Sequence, residues 1–215
     1  FDVNEMAEGH GYFSLGARRP SPDHSLIAYA MDEVGRRIYD VEIRHVERGD
    51  IERGISGTTG NIVWAEDGRH LFYTKRDPET LRAFQVWRHE LETPPSRDQL
   101  VYEETDEEFS CYVTKTRSKA FLMIVSSQTL TNEVRVIDAK DPVGDWRVVL
   151  DWDGHQPATE PDNPDILYAE RQEGFLSRVD LTTGEVVNIH PQPGEGGVRE
   201  RFNWDAPILI SPHDP

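Results

Sequence analysis

The residues of this chain best suited to chemistry are five carboxylates within six positions: Glu103, Glu104, Asp106, Glu107 and Glu108. Closely spaced carboxylates can attract a cation or a basic peptide, because their negative fields add. The same run is also typical of a solvated loop whose charges repel one another. We therefore treat these residues as a candidate site for basic-peptide attraction, with the solvated loop as the alternative.

A serine nucleophile of the hydrolase type would need a Gly-x-Ser-x-Gly turn between a strand and a helix. No serine of this chain has glycine at both flanking positions, and Ser56 in GISGTTG comes nearest, with glycines at −2 and +1. We interpret this stretch as a loop between two repeat units. The single cysteine, Cys111, lies in an apolar strand-like run and is expected to be a small buried hydrophobe. No catalytic residue is predicted.

The histidines provide no support for a metal site. The chain has eight of them, and none forms a His-Glu-x-x-His pair or a Cys/His cluster. Such spacings are what zinc sites in proteins require. No metal and no cofactor are therefore predicted.

Charge and length limit the classes of partner. The 215 residues include 40 Asp and Glu against 23 Lys and Arg, a formal charge of −17. This balance argues against nucleic acid, whose phosphates must be neutralised by Lys and Arg. The longest apolar stretch, residues 120–125, is far short of the ~20 residues that cross a bilayer, so no membrane partner is expected.

The ends and the cysteine content bear on origin and location. The chain starts at Phe1 without a Met and stops at Pro215 in a turn-like sequence, which indicates a segment of a longer protein. With no evident signal peptide and a single cysteine, a cytoplasmic location is expected. A periplasmic or secreted location stays open.

The elements that must position these residues come from a repeat. Four times, a turn rich in Asp, Pro, Gly or Ser precedes a short apolar strand, and the equivalent residues are Leu26, Leu71, Phe121 and Ile166, spaced by 45, 50 and 45 residues. A period of about 40–50 residues with several strands per unit is typical of β-propeller blades. The sequence predicts an all-β fold of about four blades, each with up to four antiparallel strands, in a partial ring.

The predicted organisation has three parts. Residues 1–20 are expected to be a loop or irregular approach, 21–152 to be propeller blades, and 156–215 to be one or more further blades of another type. The boundary would lie near 153–156. The array could close a small ring, form a segment of a larger one, or be completed by a second copy. Open sheet edges would favour self-association, because they offer unpaired N–H and C=O groups.

Residues 1–152 resemble the propeller domain of oligopeptidase B, in the prolyl oligopeptidase family of serine peptidases. The resemblance rests on Asp2, Asn4, Ala7, Gly9, His10, the Ser21-Pro22-Asp23 turn, Gly35-Arg36 and Trp64-Ala65. It implies a propeller that caps a separate α/β-hydrolase domain, limits entry to short peptides and serves cleavage after Arg or Lys. None of the family's catalytic Ser, Asp or His residues can be carried over to this chain.

Residues 156–215 resemble another kind of propeller, the sortilin type or the bacterial-neuraminidase repeat. The similarity lies in ILYA from Ile166 and in NWDAPI followed by SPHDP. The Ser-x-Asp-x-Gly-x-x-Trp turn of the neuraminidase repeats is absent. A glycan-processing or receptor-like role is therefore placed third among the hypotheses.

Two hypotheses for function precede it. The first is a non-catalytic propeller segment that gates the hydrolase domain of a serine oligopeptidase. The alternative is a stand-alone or hybrid propeller scaffold for binding, with no inherited activity. The presence of a hydrolase domain in the parent chain would distinguish them.

Overall fold

The structure, a computed structural model, describes residues 1–129, 131–152, 158–160, 163–171, 175–190, 192–193 and 208. It contains one short α-helix, α1 (Val3–Ala7), and a 3-10 helix (Pro95–Arg97). No described helix is long and apolar enough to cross a membrane. The strands are β1 Ser14–Pro20, β2 Leu26–Asp32, β3 Tyr39–His45, β4 Ile51–Trp64, β5 His70–Arg76, β6 Ala83–Glu90, β7 Gln99–Glu103, β8 Ser110–Lys115, β9 Phe121–Ser127, β10 Asn132–Asp138, β11 Arg147–Trp152, β12 Ala158–Thr159, β13 Ile166–Arg171, β14 Phe175–Asp180 and β15 Val186–Asn188.

All strands pair with their sequence neighbours in antiparallel meanders. β1 to β7 form one seven-stranded sheet in chain order, and β8 to β11 and β12 to β15 form two four-stranded sheets. Such up-and-down sheets need only short hairpin connections. The all-β, propeller-like prediction is confirmed, and the sheets do not close into a ring within the described residues.

The seven-stranded sheet consists of two four-stranded units that share β4. The first half of β4 pairs with β3, through Ile55 opposite Val41, and its last residues pair with β5, through Ile62 opposite Tyr73. Between these halves, Gly57 and Gly60 have φ values of +71° and +81°, a conformation that residues with a Cβ rarely adopt. We call the four meanders units 1 to 4. Unit 1 ends, and unit 2 begins, within one strand.

The predicted repeat corresponds to one structural feature. In every unit a turn leads into the second strand, and the backbone N–H of the residue that opens the turn donates to the carbonyl oxygen at the start of that strand. The four pairs are Ser21 with Leu26 at 2.9 Å, Ala65 with His70 at 2.9 Å, Thr116 with Phe121 at 2.9 Å, and Glu160 with Ile166 at 3.1 Å. The sequence period therefore marks the same turn in each unit.

Both faces of the middle units are buried. In β5, Leu71 and Tyr73 belong to the core between units 1 and 2, whereas Phe72 belongs to the core between units 2 and 3. β9 alternates in the same way between its two neighbouring units. This explains why these strands are continuously apolar, since alternation with polar residues is expected only when one face meets water. Face-to-face stacking of units is thus what holds the array together.

The prediction for residues 1–20 was wrong for Ser14–Pro20. This segment is β1, which pairs with β2 from Ser14 opposite Asp32 to Pro20 opposite Ile27. No residue of β1 is fully buried, so the strand lacks the apolar alternation that would have revealed it. The boundary predicted near 153–156 lies outside the described residues, as does most of the chain after residue 193.

Candidate functional site

The acidic run lies at the end of β7 and in the loop that leads to β8. Glu104 is its only half-buried carboxylate, and it accepts hydrogen bonds from the hydroxyl of Tyr102 at 2.7 Å, from the hydroxyl of Ser126, and from the backbone N–H of Asp106 at 2.9 Å. Burial raises the pKa of Glu104, but these donors outweigh it, so the pKa lies below its ordinary value. Glu104 stays ionised and holds the loop against β9.

Arg82 fixes the loop from the other side. Its guanidinium donates to the backbone carbonyls of Glu104 at 3.3 Å, Asp106 at 2.9 Å and Phe109 at 2.9 Å. A guanidinium has five N–H donors, so it can bind several carbonyl oxygens at once. Because this cation contacts backbone oxygens, it orders the loop without forming a direct ion pair with its exposed side chains.

The remaining carboxylates face water. Glu103 accepts from the Gln85 side-chain amide at 2.9 Å, and Asp106 accepts from the Glu108 backbone N–H at 3.0 Å. Among the described residues, none donates to the carboxylates of Glu107 or Glu108. The predicted set is therefore divided: Glu104 is structural, while the exposed members can act on a soluble cation through their field.

Polar contacts join the first strands of units 2 and 3. The side-chain oxygen of Asn61, in the second half of β4, accepts from the Val113 backbone N–H in β8 at 2.9 Å and from the Thr74 hydroxyl at 2.8 Å. Lys115 extends the same seam by donating to the Trp64 carbonyl at 2.9 Å and pairing with Glu66. Unit 2 is thus fixed to unit 3 along their adjoining strands.

A buried charged network joins units 1 and 2. The imidazole of His89 lies 2.7 Å from Asp98 through Nδ1 and 3.2 Å from Glu52 through Nε2, and Asp98 also accepts from the Tyr73 hydroxyl at 2.7 Å. Burial lowers the pKa of His89, but the hydrogen bond and charge of Asp98 and the charge of Glu52 outweigh it, so the pKa is raised. Burial and Asp98 together raise the pKa of Tyr73. Glu52 comes from the last strand of unit 1, so the network spans the join.

The residues considered as nucleophiles have structural positions. Ser56 lies within β4 rather than in a loop, so it is not at a strand-to-helix turn. Cys111 is buried in the core between units 2 and 3, as predicted, and burial raises the pKa of its thiol to about 12. Among the residues that the structure describes, no group of three or more His, Cys, Asp or Glu could hold a metal ion.

Sequence reasoning missed the residues that join the units and hold the acidic loop. Arg82, His89 and Asp98 carry no motif, because their partners lie far away along the chain or on another strand. Nothing in the sequence pairs Glu52 with His89, which is 37 residues further along.

Four antiparallel meanders stacked face to face, each with the same turn before its second strand, are blades of a β-propeller, in an array that does not close within the described residues. A family model described as the prolyl oligopeptidase N-terminal beta-propeller domain matches residues 1–177. This chain therefore belongs to the prolyl oligopeptidase family, within its N-terminal propeller domain. The match continues past the boundary predicted near 153–156.

Relatives agree with this assignment. The chain is 38% identical over 142 residues to dipeptidyl aminopeptidase BI of Pseudoxanthomonas mexicana, covering 66% of this chain and 20% of that protein. It is 32% identical over 151 residues to protease 2 of Moraxella lacunata, covering 69% and 22%. The chain thus spans about a fifth of the length of these curated relatives.

A solved structure shows the same fold. Oligopeptidase B from Leishmania major superposes with a TM-score of 0.75 at 28% identity, covering 89% of this chain and 28% of that one. In the peptidases of this family, the propeller accompanies a separate hydrolase domain.

Proposed function

We propose that this domain caps and gates a separate α/β-hydrolase domain that cleaves short peptides after basic residues. The observation that carries the proposal is the match of residues 1–177 to the family's propeller domain. A propeller is a scaffold, so its role depends on what it positions or excludes. The domain itself contributes no catalytic group in this proposal.

The packing between units supports a gating role. A screen that excludes large substrates must resist separation of its blades. The Asn61 and Lys115 contacts and the buried His89 network tie adjacent units in addition to the apolar cores. Short peptides, which need only a narrow passage, would be admitted while folded proteins would be excluded.

The acidic loop supports selection of basic peptides. Glu107 and Glu108 are exposed at the surface of a chain with a net charge of −17. Exposed charges of one sign raise the local concentration of oppositely charged ligands and speed their encounter, in a manner that salt weakens. The loop would therefore attract Arg- and Lys-containing peptides without binding them tightly.

The attraction is tested on the 215-residue chain itself. Fluorescence anisotropy would measure binding of a short Arg-rich peptide and of an uncharged peptide, at low and at high salt. The double variant Glu107→Gln/Glu108→Gln is expected to weaken binding of the Arg-rich peptide about threefold at low salt, because exposed charges contribute little binding energy. The matched control, Glu47→Gln/Glu92→Gln, removes two exposed charges in other turns and should have little effect. Equal weakening in both double variants would contradict a role for this loop.

The gating proposal is tested in the peptidase that carries this domain. The ratio of kcat/KM for a short peptide to that for the same sequence within a folded protein should fall when Asn61→Leu loosens the join between units 2 and 3. An unchanged ratio in a folded variant would contradict the gate. The isolated 215-residue chain should hydrolyse neither substrate, and turnover by it would contradict the assignment of catalysis to another domain.

A further inference from the structure

A polar cleft lies between unit 2 and the loop that follows β10 in unit 3. It encloses about 380 Å³ and is bordered by His70, Arg88, Glu90, Arg97, Gln99 and Val143. Pockets that bind small molecules have volumes of about 300 Å³ or more. The cleft is therefore large enough for a small ligand, and it is distinct from the acidic loop.

The charge of the cleft is opposite to that of the protein. Glu90 is paired with Arg69 at 2.7 Å, and the Nδ1 atom of His70 lies 2.6 Å from Asp67. The charges of Glu90 and Arg69 cancel, and Asp67 does not border the cleft. Arg88 and Arg97 remain as cations in a chain of net charge −17.

The two arginines differ in how firmly they are held. Arg88 donates from one terminal nitrogen to the Pro142 carbonyl at 2.8 Å, which fixes the guanidinium across the join between units 2 and 3. The guanidinium has further N–H donors that this contact does not use. Arg97 is exposed, and no described residue accepts from its guanidinium. Arg88 is thus held in place, whereas the exposed side chain of Arg97 can move toward a ligand.

We propose that this cleft binds an oxyanion, a phosphate or a carboxylate carried by a small molecule. Guanidinium groups match the geometry of both anions with paired, charge-assisted hydrogen bonds. A net negative protein repels anions at long range, so an anion held here must be held by local contacts rather than by the overall field. The ligand is opposite in charge to the basic peptides of the proposed function, and the proposal does not depend on that function.

The test titrates the 215-residue chain with inorganic phosphate and, separately, with succinate, at constant ionic strength. Backbone amide NMR shifts of residues 88–99 would report binding. We expect saturable shifts, and about a tenfold weaker affinity in Arg97→Gln, because a charge-assisted pair is lost. Val143→Glu places a carboxylate at the rim of the cleft, where Val143 is 59% exposed, and should weaken binding without removing an arginine.

Arg117→Gln is the matched control, since it removes one exposed arginine far along the chain from the cleft. Its affinity should equal that of the unsubstituted chain. Tighter binding of phosphate than of succinate would identify a phosphoryl ligand, and the reverse would identify a carboxylate. Absence of saturation with both anions, or equal weakening in Arg117→Gln and Arg97→Gln, would overturn the proposal.

Discussion

The join between units 1 and 2 and the join between units 2 and 3 use different chemistry. The first shares the strand β4 and contains ionisable side chains, with His89 and Asp98 each 1% exposed. The second relies on an apolar core crossed by contacts from side chains to backbone, such as Asn61 to Val113 and Arg88 to Pro142.

This difference predicts which of the two joins changes its stability with pH. A hydrogen bond that a neutral amide oxygen accepts from a backbone N–H does not change with pH, whereas the charge of a buried imidazole between carboxylates does. Near neutral pH the first join should therefore respond to pH, whereas the Asn61 contacts of the second should not. Both should be costly to break, because each leaves buried polar groups without partners.

The largest effect is expected from Asp98→Ala in the first join. This change leaves the His89 ring and the Tyr73 hydroxyl buried without their acceptor. Breaking a buried charged pair by removing one partner costs about 3–5 kcal/mol of unfolding free energy. Urea unfolding would measure it. Asp145→Ala, at an exposed position, is the control and should change stability by less than about 0.5 kcal/mol; a similar small loss for Asp98→Ala would show that the network is unimportant.

Next in size is Asn61→Leu in the second join. The Val113 N–H and the Thr74 hydroxyl, both in fully buried residues, would lose their acceptor. Each unsatisfied buried group costs about 1–3 kcal/mol, so a loss of about 2–4 kcal/mol is expected in urea unfolding. Asn4→Ala, in the exposed helix α1, serves as the control. If the loss grew or shrank with pH, the contrast between the joins would fail.

The pH response itself is the third prediction. Because the folded protein raises the pKa of His89, the stabilisation by this proton is complete below the ordinary value of 6.5 and is lost as pH rises through the folded value. The stability difference between the unsubstituted chain and His89→Gln should thus shrink above pH 6.5, by at most about 1.4 kcal/mol per pH unit. Parallel stability curves for the two proteins would contradict an ionised His89.

The smallest effect concerns Lys115 in the second join. The Lys115 side chain is 19% exposed, and its ammonium group pairs with Glu66 and donates to the Trp64 carbonyl. Lys115→Met keeps the packing of the aliphatic stem and should cost about 1–2 kcal/mol in thermal unfolding. In a double-mutant cycle with Glu66→Gln, the two losses should be non-additive. Full additivity would mean that the pair contributes nothing to this join.

Much of the fold could be predicted from the sequence, because each unit repeats the same turn and the same apolar second strand. Leu26, Phe121 and Ile166 are the first residues of second strands, and Leu71 is the second residue of β5. β1 could not be recognised, since it is half exposed and has no alternation. Antiparallel neighbours are local along the chain, so a periodic pattern is sufficient to predict them.

The candidate site was less predictable. The acidic run was found by its composition, but the division between Glu104 and its exposed neighbours depends on Ser126 and Arg82, each 22 residues away. Contacts of this kind depend on which units stack, which spacing alone does not reveal. Attraction of basic peptides, self-association through open edges, a cytoplasmic location and the boundary near 153–156 stay predictions.

The shared strand β4 has a mechanical consequence. Its 14 residues run from unit 1 into unit 2 without a connecting loop, so the two units cannot swing apart unless backbone ladders on both sides break. Units 1 and 2 therefore move as one rigid body. Residues 104–109, which connect units 2 and 3, are held by Ser126 and Arg82, so that connector is braced as well.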